Sequence, residues 1–274
     1  MLKGIDVSEH NANIDFAKVK ESGINFVIIR IGWIGNKNNH TVDKYFEQNY
    51  KNARANGLQV GFYVYSYVNN EIAMLSAINW IKGKISGKTY EYPIFIDVED
   101  AQISNLSIEL QTNLCKYFCD NFNNSGVYAN LNWFKNKLNV NELTQYKIWL
   151  AQWGNTYSKD FKVDLWQYTD NGAVNGINGN VDMNYCINCN DVSQETTGQE
   201  TNNGGDEEVR VYQNGSTIEN VYSDTNLTNK IGYLNKYESC DCFGIFNNRA
   251  MVRYKVDNSN NYKIGFCKWL GGVK

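Results

Sequence analysis

Over residues 1–190, apolar positions come in short runs that alternate between two periods. Runs rich in Val, Ile, Phe and Tyr lie at 3–7, 26–31, 60–65, 94–98, 126–129, 148–152 and 165–168, with a short piece near Val181. Their length and β-branched or aromatic content predict strands. Between them the spacing lengthens to that of a helix, over 15–21, 42–55, 70–82 and 107–121. In the last of these, Ile108, Leu110, Leu114, Tyr117 and Phe118 fall close to helical spacing. The third opens on Asn69-Asn70-Glu71, which supplies a capping side chain and an acid where the helix dipole favours one. Strands alternating with helices predict a parallel sheet or barrel. Some eight strands within 190 residues favour an α/β fold of the irregular β/α, TIM-like barrel kind. Crossovers near the end of this stretch are too short for a helix, so some antiparallel pairing is expected.

The pattern stops at 191–208, DVSQETTGQETNNGGDEE, which has one aliphatic residue, no aromatic, and six acids without a base. Such a segment buries too little apolar surface to order itself and reads as a flexible acidic linker. Short β-like runs resume at 209–212, 231–234, 243–246, 251–254 and 262–269. Turn signals at Asn214-Gly215, Asn247-Asn248 and 257–260 separate them. The chain thus divides into a barrel domain (1–190), a linker (191–208) and a small all-β domain (209–274).

Charge adds little to this picture. The net charge is −3, with no basic surplus of the kind that marks nucleic-acid binding, so no nucleic-acid partner is expected. The C-terminal part holds nine Lys or Arg against five Asp or Glu. No apolar run reaches the ~18 residues of a spanning helix, so no membrane partner is expected. The start, Met1-Leu2-Lys3-Gly4, lacks the apolar core of a signal peptide. The expectation is a product made in the cytoplasm. With no export signal, the seven cysteines are expected to be reduced thiols. Cys186-x-x-Cys189 and Cys240-x-Cys242 are loosely metal-like. The histidines, His10 and His40, lie far from both, so no metal and no cofactor are expected. His10 reads as a satisfied loop residue and His40 as solvated.

The chemistry concentrates in Ile94-Phe95-Ile96-Asp97-Val98-Glu99-Asp100. On a strand, Asp97 and Glu99 share one face. Two carboxyls ending a buried apolar run are costly to desolvate. Acid catalysis uses such a pair: one carboxyl with a raised pKa gives a proton while its neighbour stays ionised. Barrel chemistry collects at the C-terminal ends of strands, where Asp6, Asp97, Glu99 and Asp182 are expected to surround one cleft. Tyr63, Tyr65, Tyr128, Trp153 and Trp166 are candidate sugar platforms, and Gln167 ends a strand beside them. Arg30 is expected to pair with a cleft carboxylate, because a buried cation needs a partner. Asp100 points to the other face and reads as structural.

Gly4-Ile5-Asp6-Val7-Ser8, Gly61-Phe62-Tyr63-Val64-Tyr65-Ser66, Phe95-Ile96-Asp97-Val98-Glu99, Leu165-Trp166-Gln167-Tyr168 and Val181-Asp182-Met183-Asn184 occur in that order. Together they resemble glycoside hydrolase family 25, the lysozymes (N-acetylmuramidases) of phage endolysins and bacterial autolysins, over residues 2–190. The resemblance implies a β/α barrel that hydrolyses the β-1,4 bond from N-acetylmuramic acid to N-acetylglucosamine in bacterial peptidoglycan, with retention. It implies Glu99 as acid/base, Asp97 as its partner carboxylate, and Asp6 and Asp182 as further cleft acids. Strand spacing alone, ~6.6 Å over two residues, does not separate retaining from inverting geometry. Attack by the substrate's own 2-acetamido group is favoured over direct attack by Asp97.

The C-terminal domain faintly resembles SH3-like wall-binding modules at 226–234 and 262–266, and a wall polymer is its expected partner. It is also a candidate for self-association, through a free copy made by linker cleavage or by an internal start near Val209. The combination fits an endolysin that lyses its host after the membrane is opened by another protein. Two other readings remain. A chitinase-like glycosidase is disfavoured because Phe95 stands where that motif carries an acid. A wall-binding protein with a degenerate barrel is disfavoured by the retention of all four acids.

Overall fold

Strand β1 (Leu2–Val7) lies between two partners of opposite sense. It runs parallel to β2 (Phe26–Ile34) and antiparallel to β10 (Val181–Cys186). The computed structural model describes residues 1–188, 196–197, 210–223, 225–246, 249–256 and 262–268. A two-residue β3 (Thr41–Val42) pairs with the end of β2. Parallel pairing then continues through β4 (Gln59–Ser66), β6 (Ile94–Asp97), β7 (Ser125–Asn130), β8 (Lys147–Ala151) and β9 (Leu165–Gly172). β9 pairs antiparallel with β10, which closes an eight-stranded mixed barrel. A short β5 (Thr89–Tyr90) pairs with β11 (Thr196–Thr197). The antiparallel pairing expected late in the domain is thus present at β10, which follows β9 without a helix, whereas β8 and β9 pair parallel.

Five α-helices join the strands among the described residues: α1 (Phe16–Glu21), α2 (Phe46–Ala55), α3 (Glu71–Ile85), α4 (Ile108–Asp120) and α5 (Leu131–Asn136). Asp15, Asn70 and Ser107 cap α1, α3 and α4 by accepting a backbone N–H in the first turn. The helix expected from residue 42 starts four residues later. Thr41 and Val42 instead extend the sheet, and the Asp43 carboxylate is occupied by Arg30 and by the Tyr45 N–H. Helix α5 was not expected. It is capped by Asn130, whose Oδ1 accepts the Trp133 N–H at 3.1 Å.

Side chains from alternate strand positions fill the barrel. Phe26, Ile28, Tyr92, Phe95, Trp149, Leu165 and Cys186 form its lower layer. Glycines make room for them. A Cβ on Gly4 would lie 2.3 Å from the Phe26 ring, and one on Gly126 would lie 2.6 Å from the Phe95 ring. Phe26 stacks on Tyr92 with centroids 4.1 Å apart. Above this apolar plug the same inward rows continue as polar residues, so the lower half is a packed core and the upper half an open mouth.

The chain forms two compact units, Met1–Thr201 and Asn202–Lys274. The second is a six-stranded antiparallel sheet in the order β12-β15-β16-β17-β13-β14, built from β12 (Arg210–Gln213), β13 (Glu219–Tyr222), β14 (Lys230–Leu234), β15 (Ser239–Phe246), β16 (Arg249–Lys255) and β17 (Tyr262–Lys268). Tyr212, Val221, Leu234, Val252, Tyr254 and the thiols of Cys240, Cys242 and Cys267 share its core. β13 was missed because Glu219-Asn220 interrupts its apolar pattern. At the Asn214-Gly215 turn, the Asn214 amide donates to the carbonyls of Thr217, Leu234 and Asn235. Apart from Thr196–Thr197, the expected linker lies outside the described residues, as do Val209, Trp269, the turns at 247–248 and 257–260, and Cys189. Cys115, Cys119, Cys240, Cys242 and Cys267 are free thiols, whereas Cys186 is disulfide-bonded, in departure from the reduced state expected of it.

Candidate active site

The barrel mouth gathers all four predicted acids. Asp97 is the last residue of β6, in register with Tyr65 on β4 and Tyr128 on β7. Asp6, near the end of β1, is in register with Asp182 on β10. Asp182 lies at the beginning of its strand, not at its end as expected. Because β10 is antiparallel, its beginning opens on the same mouth as the ends of the parallel strands. The Tyr128 hydroxyl lies within electrostatic reach of Glu99, Asp97, Asp6 and Asp182 together.

Glu99 reaches the mouth by a different route from strand alternation. β6 stops at Asp97, and Glu99 stands in the following loop. Two bonds hold it. The Glu99 N–H donates to Asp97 Oδ1 at 3.3 Å, and the Asn130 N–H donates to Glu99 Oε1 at 2.6 Å. Asn130 thus serves twice, as the cap of α5 and as an anchor for Glu99. Sequence reasoning missed this role, although an Asn preceding Leu131-Asn132-Trp133 is an N-cap signal.

Burial raises the pKa of each of these acids. Asp97 stands well above the usual carboxylate range because it is desolvated and then because Glu99 is near. Asp6 does so because of desolvation and then Asp182. Glu99 is also raised, by desolvation, while its bond from the Asn130 N–H pulls the other way. Burial, rather than neighbouring charge, is what raises it. Two adjacent acids that oppose each other's ionisation titrate as a pair and hold one proton over a range of pH.

The predicted binding residues divide into two groups. Tyr63, Tyr65, Tyr128 and Gln167 line the mouth. Tyr65 donates to Asp100 Oδ2 at 3.0 Å, so Asp100 turns toward a mouth residue and not to the other face as expected. Asp100 also caps a 3-10 turn at Ala101–Ile103. Trp153 stands at the rim, 61% exposed, with its indole N–H on Gln167 Oε1 at 3.1 Å. Trp166 does not belong with them. It neighbours the inward-facing Gln167 on β9, so its ring points outward, where it packs against Tyr157, Tyr168 and Tyr185. Arg30 also departs from expectation. It pairs with Asp43 at 2.8 Å and Glu9 at 3.2 Å, and acts on Asp97 only through its field. His10 is exposed in a 3-10 turn at Glu9–Asn11. His40 is not simply solvated. It lies 3.1 Å from Ser76 Oγ and packs against Trp80.

A barrel with an acidic mouth of this kind defines a glycoside hydrolase architecture. Residues 5–177, more than half the chain, match the Glycosyl hydrolases family 25 profile, and the chain belongs to that family. It is 30% identical over 187 residues to an autolytic lysozyme of Clostridium acetobutylicum. That match covers 66% of this chain and 55% of the relative, so it spans little more than half of that protein. Among solved structures, the CTP1L endolysin is similar over 68% of this chain and 67% of its own, with 27% identity and a TM-score of 0.59. The spore cortex lytic enzyme SleM of Clostridium perfringens shares the fold over 97% of this chain and 98% of its own, with 15% identity and a TM-score of 0.63.

Proposed function

We propose that this chain is a lysozyme-type glycoside hydrolase of bacterial peptidoglycan, cutting the β-1,4 bond from N-acetylmuramic acid to N-acetylglucosamine. The observation that carries this reading is the meeting of Asp6, Asp97, Glu99 and Asp182 at one aromatic-lined barrel mouth. When the proton of the Asp97–Glu99 pair sits on Glu99, it passes to the glycosidic oxygen as the bond to C1 breaks. The carbonyl oxygen of the substrate's 2-acetamido group attacks C1 and forms an oxazolinium ion, whose N–H faces ionised Asp97. Water then attacks C1, gives a proton to the Glu99 carboxylate and returns the acetamido group. The anomeric configuration is retained. Tyr63, Tyr65 and Trp153 offer ring faces for the sugars around this centre.

In the same reading, the C-terminal unit is an SH3-like module that binds a wall polymer and raises the local concentration of the barrel at its substrate. The phage endolysin assignment belongs to this reading, as does a free copy of that unit associating with the full chain. Support for the free copy comes from the similar CTP1L endolysin, whose activity is regulated by a secondary translation product.

The competing reading is a wall-binding protein without activity. Purified Gram-positive peptidoglycan incubated with wild type and Glu99→Gln separates the two, with reducing-end release and wall pelleting measured side by side. An enzyme loses about 10²–10⁴-fold in turnover with Glu99→Gln and still pellets. A binding protein shows no turnover in either form.

A further inference from the structure

Asp6 is gripped on one oxygen only. Asn184 Nδ2 donates to Asp6 Oδ2 at 2.7 Å, and Gln167 Nε2 donates to the same atom at 3.0 Å. Asn184 and Gln167 are themselves buried. Neither amide is free to turn over. The Trp149 indole N–H donates to Asn184 Oδ1 at 2.8 Å. The Tyr128 hydroxyl and the Trp153 indole N–H converge on Gln167 Oε1 at 3.2 and 3.1 Å. An indole N–H only donates, so each contact fixes which end of the amide is oxygen and aims its NH₂ group at Asp6.

Asp6 and Asp182 are register partners, and their carboxyls lie within electrostatic reach of one another. Two carboxyl groups bond to one another only when one of them carries a proton. With Oδ2 accepting from both amides, the proton belongs on the Asp6 oxygen that the clamp leaves free.

We propose that Asn184 and Gln167 are positioning residues that pin Asp6 Oδ2 and hold the single proton of the Asp6–Asp182 pair between the two carboxyls, with Trp149, Tyr128 and Trp153 fixing the amides. This rests on the reading of the mouth acids as catalytic. The charged or titratable groups that act on or feel Asp6 are Asp182 from β10, Tyr63 from β4, Asp97 from β6 and Tyr128 from β7, and Arg30 from β2 acts on Tyr63 and Asp97 beside it. The clamp residues contributed by β8, β9 and β10 are neutral. They stabilise the ionised form of Asp6 against burial and against Asp182.

The test is the pH dependence of kcat/KM on soluble peptidoglycan fragments, for the full chain and for Gln167→Met and Asn184→Leu. Both substitutions remove the donor, keep approximate shape and add no charge. Without a donor the pKa of Asp6 rises further, so the alkaline limb of the profile, where the pair loses its proton, moves up by about one pH unit, as the loss of one hydrogen bond to a charged group implies. A structural role alone would lower the melting temperature or the activity at every pH and leave the limb in place, which overturns the proposal. A raised KM with an unmoved limb also overturns it and makes Gln167 a substrate contact. If Asn184→Leu fails to fold, Gln167→Met decides alone, since its partners Tyr128 and Trp153 lie nearer the rim. Glu99→Gln serves as the control. If it retains turnover, the catalytic reading and this proposal fall together. If it is inactive while the limb of Gln167→Met stays put, this proposal alone falls.

Discussion

Asp6 shows what a buried acid does to the stability of its own protein. Its carboxyl is held well above its ordinary value by desolvation and then by Asp182. The folded chain therefore retains a proton that the unfolded chain has lost above a pH of about 4. Stability from this source is complete below the unfolded value and declines as pH rises through the folded one. Asp6→Asn removes the titration, keeps an acceptor for Asn184 and Gln167, and donates to Asp182. We expect it to be inactive or nearly so, yet to melt ~2–4 °C higher at neutral pH, a gain of about 1 kcal/mol. The gain should shrink as pH falls below about 4. Thermal melts across pH check this, and a variant less stable than wild type at neutral pH would contradict it.

At the scale of elements, β9 divides two tryptophans that the sequence alone treats alike. Trp153 follows β8 at the exposed rim, whereas Trp166 is 6% exposed and packs outside the barrel. Trp153→Ala should raise KM for glycan and leave the melting temperature within about a degree, as a surface change does. Trp166→Ala should cost about 3–5 kcal/mol of stability and leave KM unchanged in the folded fraction. Steady-state kinetics beside thermal melts separate them. The inward row that carries Gln167 was legible from strand alternation, as were the positions of the barrel strands and the convergence of the four acids. Three features were not. Short crossovers predicted a late antiparallel pairing, but which strand reverses depends on how the barrel closes, which local periodicity does not encode. The aim of Glu99 depends on a loop bend held by Asp97 Oδ1 and the Asn130 N–H. The end of β2 recruits Thr41–Val42 as a strand because β-branched residues suit a sheet edge beside Gly32. Each is a tertiary contact overriding a local pattern.

The whole molecule is two compact units, and β11 belongs to the first through its pairing with β5. A chain ending at Thr201 keeps that strand and should retain its rate on small soluble glycans. On intact walls the targeting role proposed for the C-terminal unit predicts several-fold slower clearing, because a tether would no longer supply effective concentration. Adding salt to the full chain should narrow that gap if the basic surplus of the C-terminal part contributes to wall binding. Turbidity clearing of walls, set against release from soluble fragments, measures both. Equal clearing by the two chains would remove the targeting role. The four-acid mouth is proposed to cut the bond from N-acetylmuramic acid to N-acetylglucosamine. The most direct measurement is digestion of purified Gram-positive peptidoglycan by wild type and Glu99→Gln, followed by borohydride reduction and mass spectrometry of the fragments. New muramitol ends from wild type, absent with Glu99→Gln, are the predicted result. New glucosaminitol ends, or no new reducing ends from wild type on several walls, would contradict it.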